Sequence, residues 1–202
     1  MSLYKTPFSR AYWNDAVKSF RSLRGMVFAA LMIAVCVALS MSGAKIVLGE
    51  NLSFSPTFLP RALCALVYGP VGAVVFAVAE DTIGFFMGSG SGPYFPGYTL
   101  TTVLGCFWYA LFFYRARVTV LRVTLAKIIT NVQNVFLGSL WSAILYSKGY
   151  VYYMTKSAIK NAVFLPVQII MLVVLLQVLL PVLHHMGIIP NQLGNGKRMK
   201  LF

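Results

Sequence analysis

The chain has 202 residues, 59% of them apolar and 10% charged, with a mean hydropathy of +0.78. Soluble domains carry roughly 25% charged residues and need them to cover a wet surface; this composition excludes a soluble enzyme, a disordered tail, a secreted disulfide scaffold and a fibrous repeat, and leaves an integral membrane protein. Seventeen Lys and Arg against four Asp and Glu give a formal charge of +13, and their clustering at the two ends and in one connecting loop points to lipid headgroups and topology rather than to nucleic acid.

Residues 1–24 lack the apolar run and small-residue cleavage site of a signal peptide. Tyr12, Trp13, Ala16, Val17, Phe20 and Leu23 recur at helical spacing with Lys18, Arg21 and Arg24 between them. That pattern predicts an amphipathic helix in the headgroup region, with a solvated lead-in helix as the alternative. Six apolar segments follow, at 26–43, 55–68, 71–87, 97–113, 118–146 and 154–183. A spanning helix needs roughly 20 residues, so the second is short, the fifth should tilt, and the sixth should kink at Pro166. A tight Gly69-Pro70 turn separates the second from the third. No segment alternates like a strand, which predicts an all-α bundle of six transmembrane helices.

Lys and Arg mark the cytoplasmic loops. Five stand in the first 24 residues, Arg115, Arg117 and Arg122 follow the fourth segment, and Lys197, Arg198 and Lys200 lie in the tail. Both termini are therefore expected inside. The predicted organisation is a cytoplasmic-side amphipathic segment (1–24), a six-helix substrate-binding domain (25–184) and a basic cytoplasmic tail (185–202). Loops one, three and five then face outward.

No G-x-x-x-x-G-K-[ST] loop, HExxH motif or paired Cys/His spacing is present, and no Ser/His/Asp constellation is readable. Neither an enzyme nor a metal or other cofactor is expected. Cys36, Cys64 and Cys106 sit in apolar runs and read as small buried hydrophobes. His184 and His185 read as interfacial.

Polar residues inside spans face the bundle interior or a cavity. On the fifth segment Lys127, Asn131, Asn134, Gly138 and Trp141 share one face at 4-3-4-3 spacing. Asn offers donors and an acceptor to a flat heterocycle, and Trp141 a stacking surface; helix–helix hydrogen bonding is the alternative. On the fourth segment Tyr98, Thr102, Gly105, Trp108 and Phe112 form an aromatic and hydroxyl stripe behind a Gly-rich loop carrying Tyr94 and Phe95. Thr99 adjoins that loop. Lys160 and Asn161 on the sixth segment reach a similar depth, and Lys160 and Lys45 would suit carboxylates or else snorkel to the surface. Arg61 is expected to pair with Glu80 and Asp81 as a structural ion pair. Ala30, Ala34 and Ala38 make small-xxx-small steps on the first segment, for internal packing or for a partner protein.

The order of these features resembles the substrate-binding S component of an energy-coupling factor transporter. Phe58-Leu59-Pro60, Tyr68-Gly69-Pro70, Asp81 and Gly92-Pro93-Tyr94-Phe95-Pro96-Gly97-Tyr98-Thr99 are similar to the folate branch. So are Asn131, Asn134, Leu140-Trp141, Ile144-Leu145-Tyr146, Lys160-Asn161 and Pro166. Glu80 and Lys127 depart from that pattern. The resemblance implies a multi-pass protein of the bacterial plasma membrane that captures folate from outside. The ligand would lie among Lys45, Tyr94, Phe95, Tyr98, Thr99, Thr102, Trp108, Asn131, Asn134, Trp141, Lys160 and Asn161. It further implies a transmembrane coupling subunit docked on Ala30, Ala34 and Ala38, and two cytoplasmic ATPases, so that ATP is used by the partners. A flat pterin with a dianionic glutamate tail suits an aromatic, amide-lined, cationic pocket. Pantothenate, thiamine, or a self-sufficient small carrier or channel are the alternatives.

Overall fold

The computed structural model describes residues 3, 10–20, 23–43, 46–47, 53–87, 94–146, 149–193 and 199–201. Helices α1 (Arg10–Phe20), α2 (Leu23–Met41), α3 (Phe58–Phe86), α4 (Pro96–Phe113), α5 (Val120–Gln133), α6 (Ser139–Leu145) and α7 (Tyr150–His185) account for most of them. A π-helical turn, Asn134–Gly138, joins α5 to α6. By length and composition α3, the α5–α6 unit and α7 are able to cross a membrane, and Gly25–Met41 is a shorter apolar helix. The described residues are all-α in class, as expected, with one minor antiparallel ribbon of β1 (Ile46–Val47) and β2 (Ser53–Phe54), Ile46 opposite Phe54. Two residues per strand are too few to leave an alternating signature.

Helix α3 is broken at Gly69, whose φ of +70° lies in the left-handed region. Glycine is needed there twice over. The conformation disfavours a Cβ, and one would meet the Tyr114 ring at 2.8 Å. Pro70 then begins the second arm with its φ already set for a helix. The consequence is a fold-back. Arg61 and Glu80 would stand about 28 Å apart on a straight helix, yet their side chains form two hydrogen bonds of 3.0 Å. The first arm, 58–68, is short, and the ribbon and residues 54–57 continue above it.

Helix α4 packs along α3 more extensively than any other pair of elements. The core between them holds Ala62, Leu63, Leu66, Ala73, Phe76, Cys106, Tyr109 and Phe113, and Leu172, Leu176 and Leu180 close it from α7. Cys36, Cys64 and Cys106 are buried free thiols within this core. The Tyr68 hydroxyl donates to the Gly25 carbonyl and ties α2 to the Gly69 corner. α7 runs unbroken through Pro166 and Pro181, so Pro166 does not end the helix.

The corner at Gly69 marks one end of the bundle. There Tyr12 and Ala16 of α1 pack against Tyr114 and Val71, and burial pushes the Tyr12 phenol up in pKa. Residues 188–193 turn back beneath α4: the Gln192 side chain donates to the Phe113 carbonyl, and Val118 N–H donates to Gln192 O. The N–H groups of Val120 and Leu121, left open at the start of α5, donate to the carbonyls of Lys200 and Leu201. The segment beyond His185 is thus partly built into the bundle.

Candidate binding cavity

At the opposite end α4, the α5–α6 unit, α7 and the start of α3 enclose a cavity of about 510 Å³. Its floor is formed by Phe58, Arg61, Lys127, Asn131 and Gln168, and its upper wall by Tyr98, Ser142, Tyr153, Lys156 and Ser157. From Tyr153 to Gln168 is about 22 Å along α7. The Phe54 ring lies tilted against Phe164, with centroids 4.7 Å apart, and gives the wall an aromatic side. Ligand pockets span roughly 300–1,000 Å³ and combine apolar walls with a few placed polar groups. The volume and lining fall in that class.

The charge on the wall is of one sign. Arg61, Lys127, Lys156 and Lys160 line it, and no described lining residue is acidic. Arg61 is held from behind by Glu80, 2.9 Å away. Lys127 is 5% exposed; its ammonium donates to the Tyr109 hydroxyl at 3.2 Å and rests 4.0 Å from the centroid of Phe58. The Asn131 amide donates to Gln168 Oε1 at 3.2 Å. Ser139 is 1% exposed and its Oγ has no hydrogen-bond partner among the described residues. A smaller space of about 80 Å³ adjoins the floor, lined by Thr101, Thr102, Gly105, Thr130 and Gln133 together with Lys127.

Of the residues expected around a ligand, Tyr98, Asn131, Asn134, Lys160 and Asn161 lie on the cavity wall, and Thr102 on the smaller space. Lys45 lies outside the described residues. Tyr94, Phe95, Thr99, Trp108 and Trp141 do not line the cavity. Thr99 is buried and donates to Asp81 at 2.6 Å, while the Tyr94 hydroxyl is 3.1 Å from Thr99. Asp81 is therefore not part of the ion pair, because it faces α4 whereas Glu80 faces the first arm of α3. Trp108 leaves the cavity because α4 turns about 100° per residue: Gly105 and Tyr109 continue the stripe, and Trp108 falls beside it.

Trp141 is displaced by the π turn. An extra residue in the turn rotates everything after it by about 100°, so Ser139 and Ser142 take the stripe begun by Lys127, Asn131 and Asn134. Trp141 instead packs against Phe95 at 5.6 Å and donates to Thr101 Oγ1 at 3.0 Å. Gly97 permits this contact, since a Cβ there would meet Trp141 at 2.6 Å and Phe95 at 2.4 Å. Away from the cavity, Ala30, Ala34 and Ala38 are exposed along one side of α2, while Ala29, Cys36 and Val37 face the core.

No protein-family model matches the chain. The folate transporter FolT of Clostridium novyi is 33% identical over 116 residues, which is 57% of this chain and 67% of that protein. The chain belongs to the FolT family of folate transporters. FolT of Leuconostoc mesenteroides is 27% identical over 147 residues, covering 69% of this chain and 79% of that one. A crystal structure of FolT bound with folic acid superposes with a TM-score of 0.66 at 28% identity, covering 75% of this chain and 91% of the other. The FolT family is the folate branch of S components that the motifs between Phe58 and Pro166 resemble.

In this FolT-family chain several wall residues escaped the reading of the sequence. Tyr153, Ser157, Phe164 and Gln168 join Lys160 and Asn161 on one side of α7. Tyr153, Ser157, Lys160, Asn161, Phe164 and Gln168 recur mostly at three- and four-residue spacing, a helical stripe, but only Lys160 and Asn161 carry a charge or amide conspicuous enough to single out, and the other four look like ordinary apolar or polar helix residues. Phe54, Ser55 and Thr57 carry no such signal, since the irregular chain before α3 brings them in.

Proposed function

We propose that this chain is the substrate-capture subunit of an energy-coupling factor transporter and that it binds folate in the cavity between α4, α5–α6 and α7. The observation that carries this is the cavity wall, which is aromatic, amide-bearing and cationic without a described carboxylate. FolT bound with folic acid, the structural relative, supports the ligand. The flat heterocycle would lie toward the floor, against Phe58, Asn131 and Gln168, where amides supply both donors and acceptors. The glutamate carboxylates would lie nearer the mouth, beside Lys156 and Lys160.

We further read six crossings: α2, the two arms of α3, α4, the α5–α6 unit and α7. Both termini would be cytoplasmic and the cavity would open outward in a bacterial plasma membrane. Arg115, Arg117 and Arg122 share an end with α1 and the C-terminal segment, which supports this orientation. The exposed alanines of α2 support docking of a transmembrane coupling subunit, because small residues let helices approach closely. Two ATPases would supply the energy, consistent with a chain that has no phosphate-binding loop and no catalytic role of its own.

Calorimetric titration of the purified chain with folic acid tests the reading. Saturable binding without ATP is expected, with Asn131→Leu weakening it at least tenfold. Folded protein that takes up no folic acid would sink the proposal.

A further inference from the structure

The end opposite the cavity mouth carries a surface that the folate reading does not use. Helix α1 buries Tyr12 and Ala16 against Tyr114 and Val71, Tyr12 donates to the Ala110 carbonyl at 3.3 Å, and Asp15 is ion-paired with Arg115. The bundle therefore holds one side of α1. At about 100° per residue, Trp13 and Val17 fall on the flank of that side, 38% and 40% exposed. Arg10, Asn14 and Lys18 form the exposed face opposite it, and Arg117 is exposed two residues beyond Arg115.

Among the described residues, the positive charge at this end exceeds the negative. Glu80 and Asp81 lie in α3 with Arg61 and Thr99, so Asp15 is the one described carboxylate here, and Arg115 occupies it. An indole and a valine beside a row of cations suit the plane where acyl chains meet phosphates. Each Lys or Arg near an anionic surface strengthens association about fivefold.

We propose that α1 together with Arg117 is a binding surface for anionic phospholipid headgroups, and that lipid held there braces the Gly69 corner through Tyr12 and Tyr114. Trp13 and Val17 enter the acyl boundary, while Arg10, Lys18 and Arg117 meet the phosphates. Ala16 and Tyr12 transmit the restraint to α4.

Thermal unfolding of the full chain in micelles doped with phosphatidylglycerol or with phosphatidylcholine tests this. Phosphatidylglycerol is expected to raise the melting temperature above that in phosphatidylcholine. A triple variant, Arg10→Gln, Lys18→Gln, Arg117→Gln, is expected to lose most of that gain while keeping its melting temperature in phosphatidylcholine and its folic acid binding. No preference for the anionic lipid, or an equal preference in the triple variant, overturns the proposal. So does an equal rise with inorganic phosphate, which would assign the effect to a free anion. In vesicles, a fluorophore on Val17→Cys should be quenched by shallow nitroxide lipids; a label that reports only water would equally refute the placement.

Discussion

Removing either partner of the Arg61–Glu80 pair should destabilise the protein unequally. The pair makes two 3.0 Å hydrogen bonds and closes the fold-back of α3. Glu80's side chain is 5% exposed and Arg61's is 25% exposed, and Arg61 also borders the cavity. Arg61→Met strands a carboxylate away from water, and breaking a buried pair in that way costs about 4 kcal/mol. Glu80→Gln leaves a guanidinium that can still reach cavity water and keep a neutral partner, for a loss of about 2 kcal/mol, in the range of hydrogen bonds to charged groups. For a chain of this size each kcal/mol moves the melting temperature by about 2–4 °C, so the two variants should separate by several degrees. The double variant Arg61→Met, Glu80→Met places two apolar chains of similar volume together and should unfold above the Arg61→Met single. Thermal unfolding of ligand-free protein in micelles is the assay, since Arg61 also lines the site. Equal losses in the two singles, or a double variant as damaged as their sum, would refute the reasoning.

Gly69→Ala should cost about 1–2 kcal/mol for the left-handed backbone and about 1–3 kcal/mol more for overpacking against Tyr114. Gly43, with a φ of +64° and no atom of the described residues within 4 Å of an added Cβ, supplies the control: Gly43→Ala should show the first loss without the second in the same melting experiment. Lys127→Met should act in opposite directions, raising the ligand-free melting temperature by removing a cation with no described carboxylate beside it, while weakening folic acid binding at least tenfold. Titration with pteroate, which lacks the glutamate, locates the contact: Lys127→Met should weaken folate and pteroate alike, whereas Lys156→Gln should weaken folate alone.

The bundle was legible because its causes are local in sequence. Apolar runs of spanning length, Pro and Gly at their ends, and the clustering of Arg115, Arg117 and Arg122 do not depend on partners far along the chain. The Gly69-Pro70 break was legible for the same reason, and with it the meeting of Arg61 and Glu80. Asp81 was misassigned because adjacent residues on a helix point about 100° apart, so two neighbouring acids cannot both face one guanidinium. Pairing of the second acid depended on where α4 brings Thr99, which no local pattern encodes.

The α5–α6 unit shows where periodicity itself fails. A constant 3.6-residue turn places Trp141 on the stripe of Lys127, Asn131 and Asn134, and the π turn at Asn134–Gly138 breaks that assumption by one residue. The same insertion that carries Trp141 out to Thr101 brings Ser139 in, with a hydroxyl that no group among the described residues satisfies. A buried polar atom without a partner is costly unless water or a ligand completes it. The turn therefore exchanges the Trp141 ring for two serine hydroxyls on the cavity wall, and the aromatic part of that wall is left to Phe58, Phe54 and Phe164. On this reasoning Trp141→Phe should spare folate binding relative to Ser139→Val. The first removes a hydrogen bond to Thr101 behind the wall, and the second replaces a hydroxyl on the cavity wall by a methyl and adds another at a buried position.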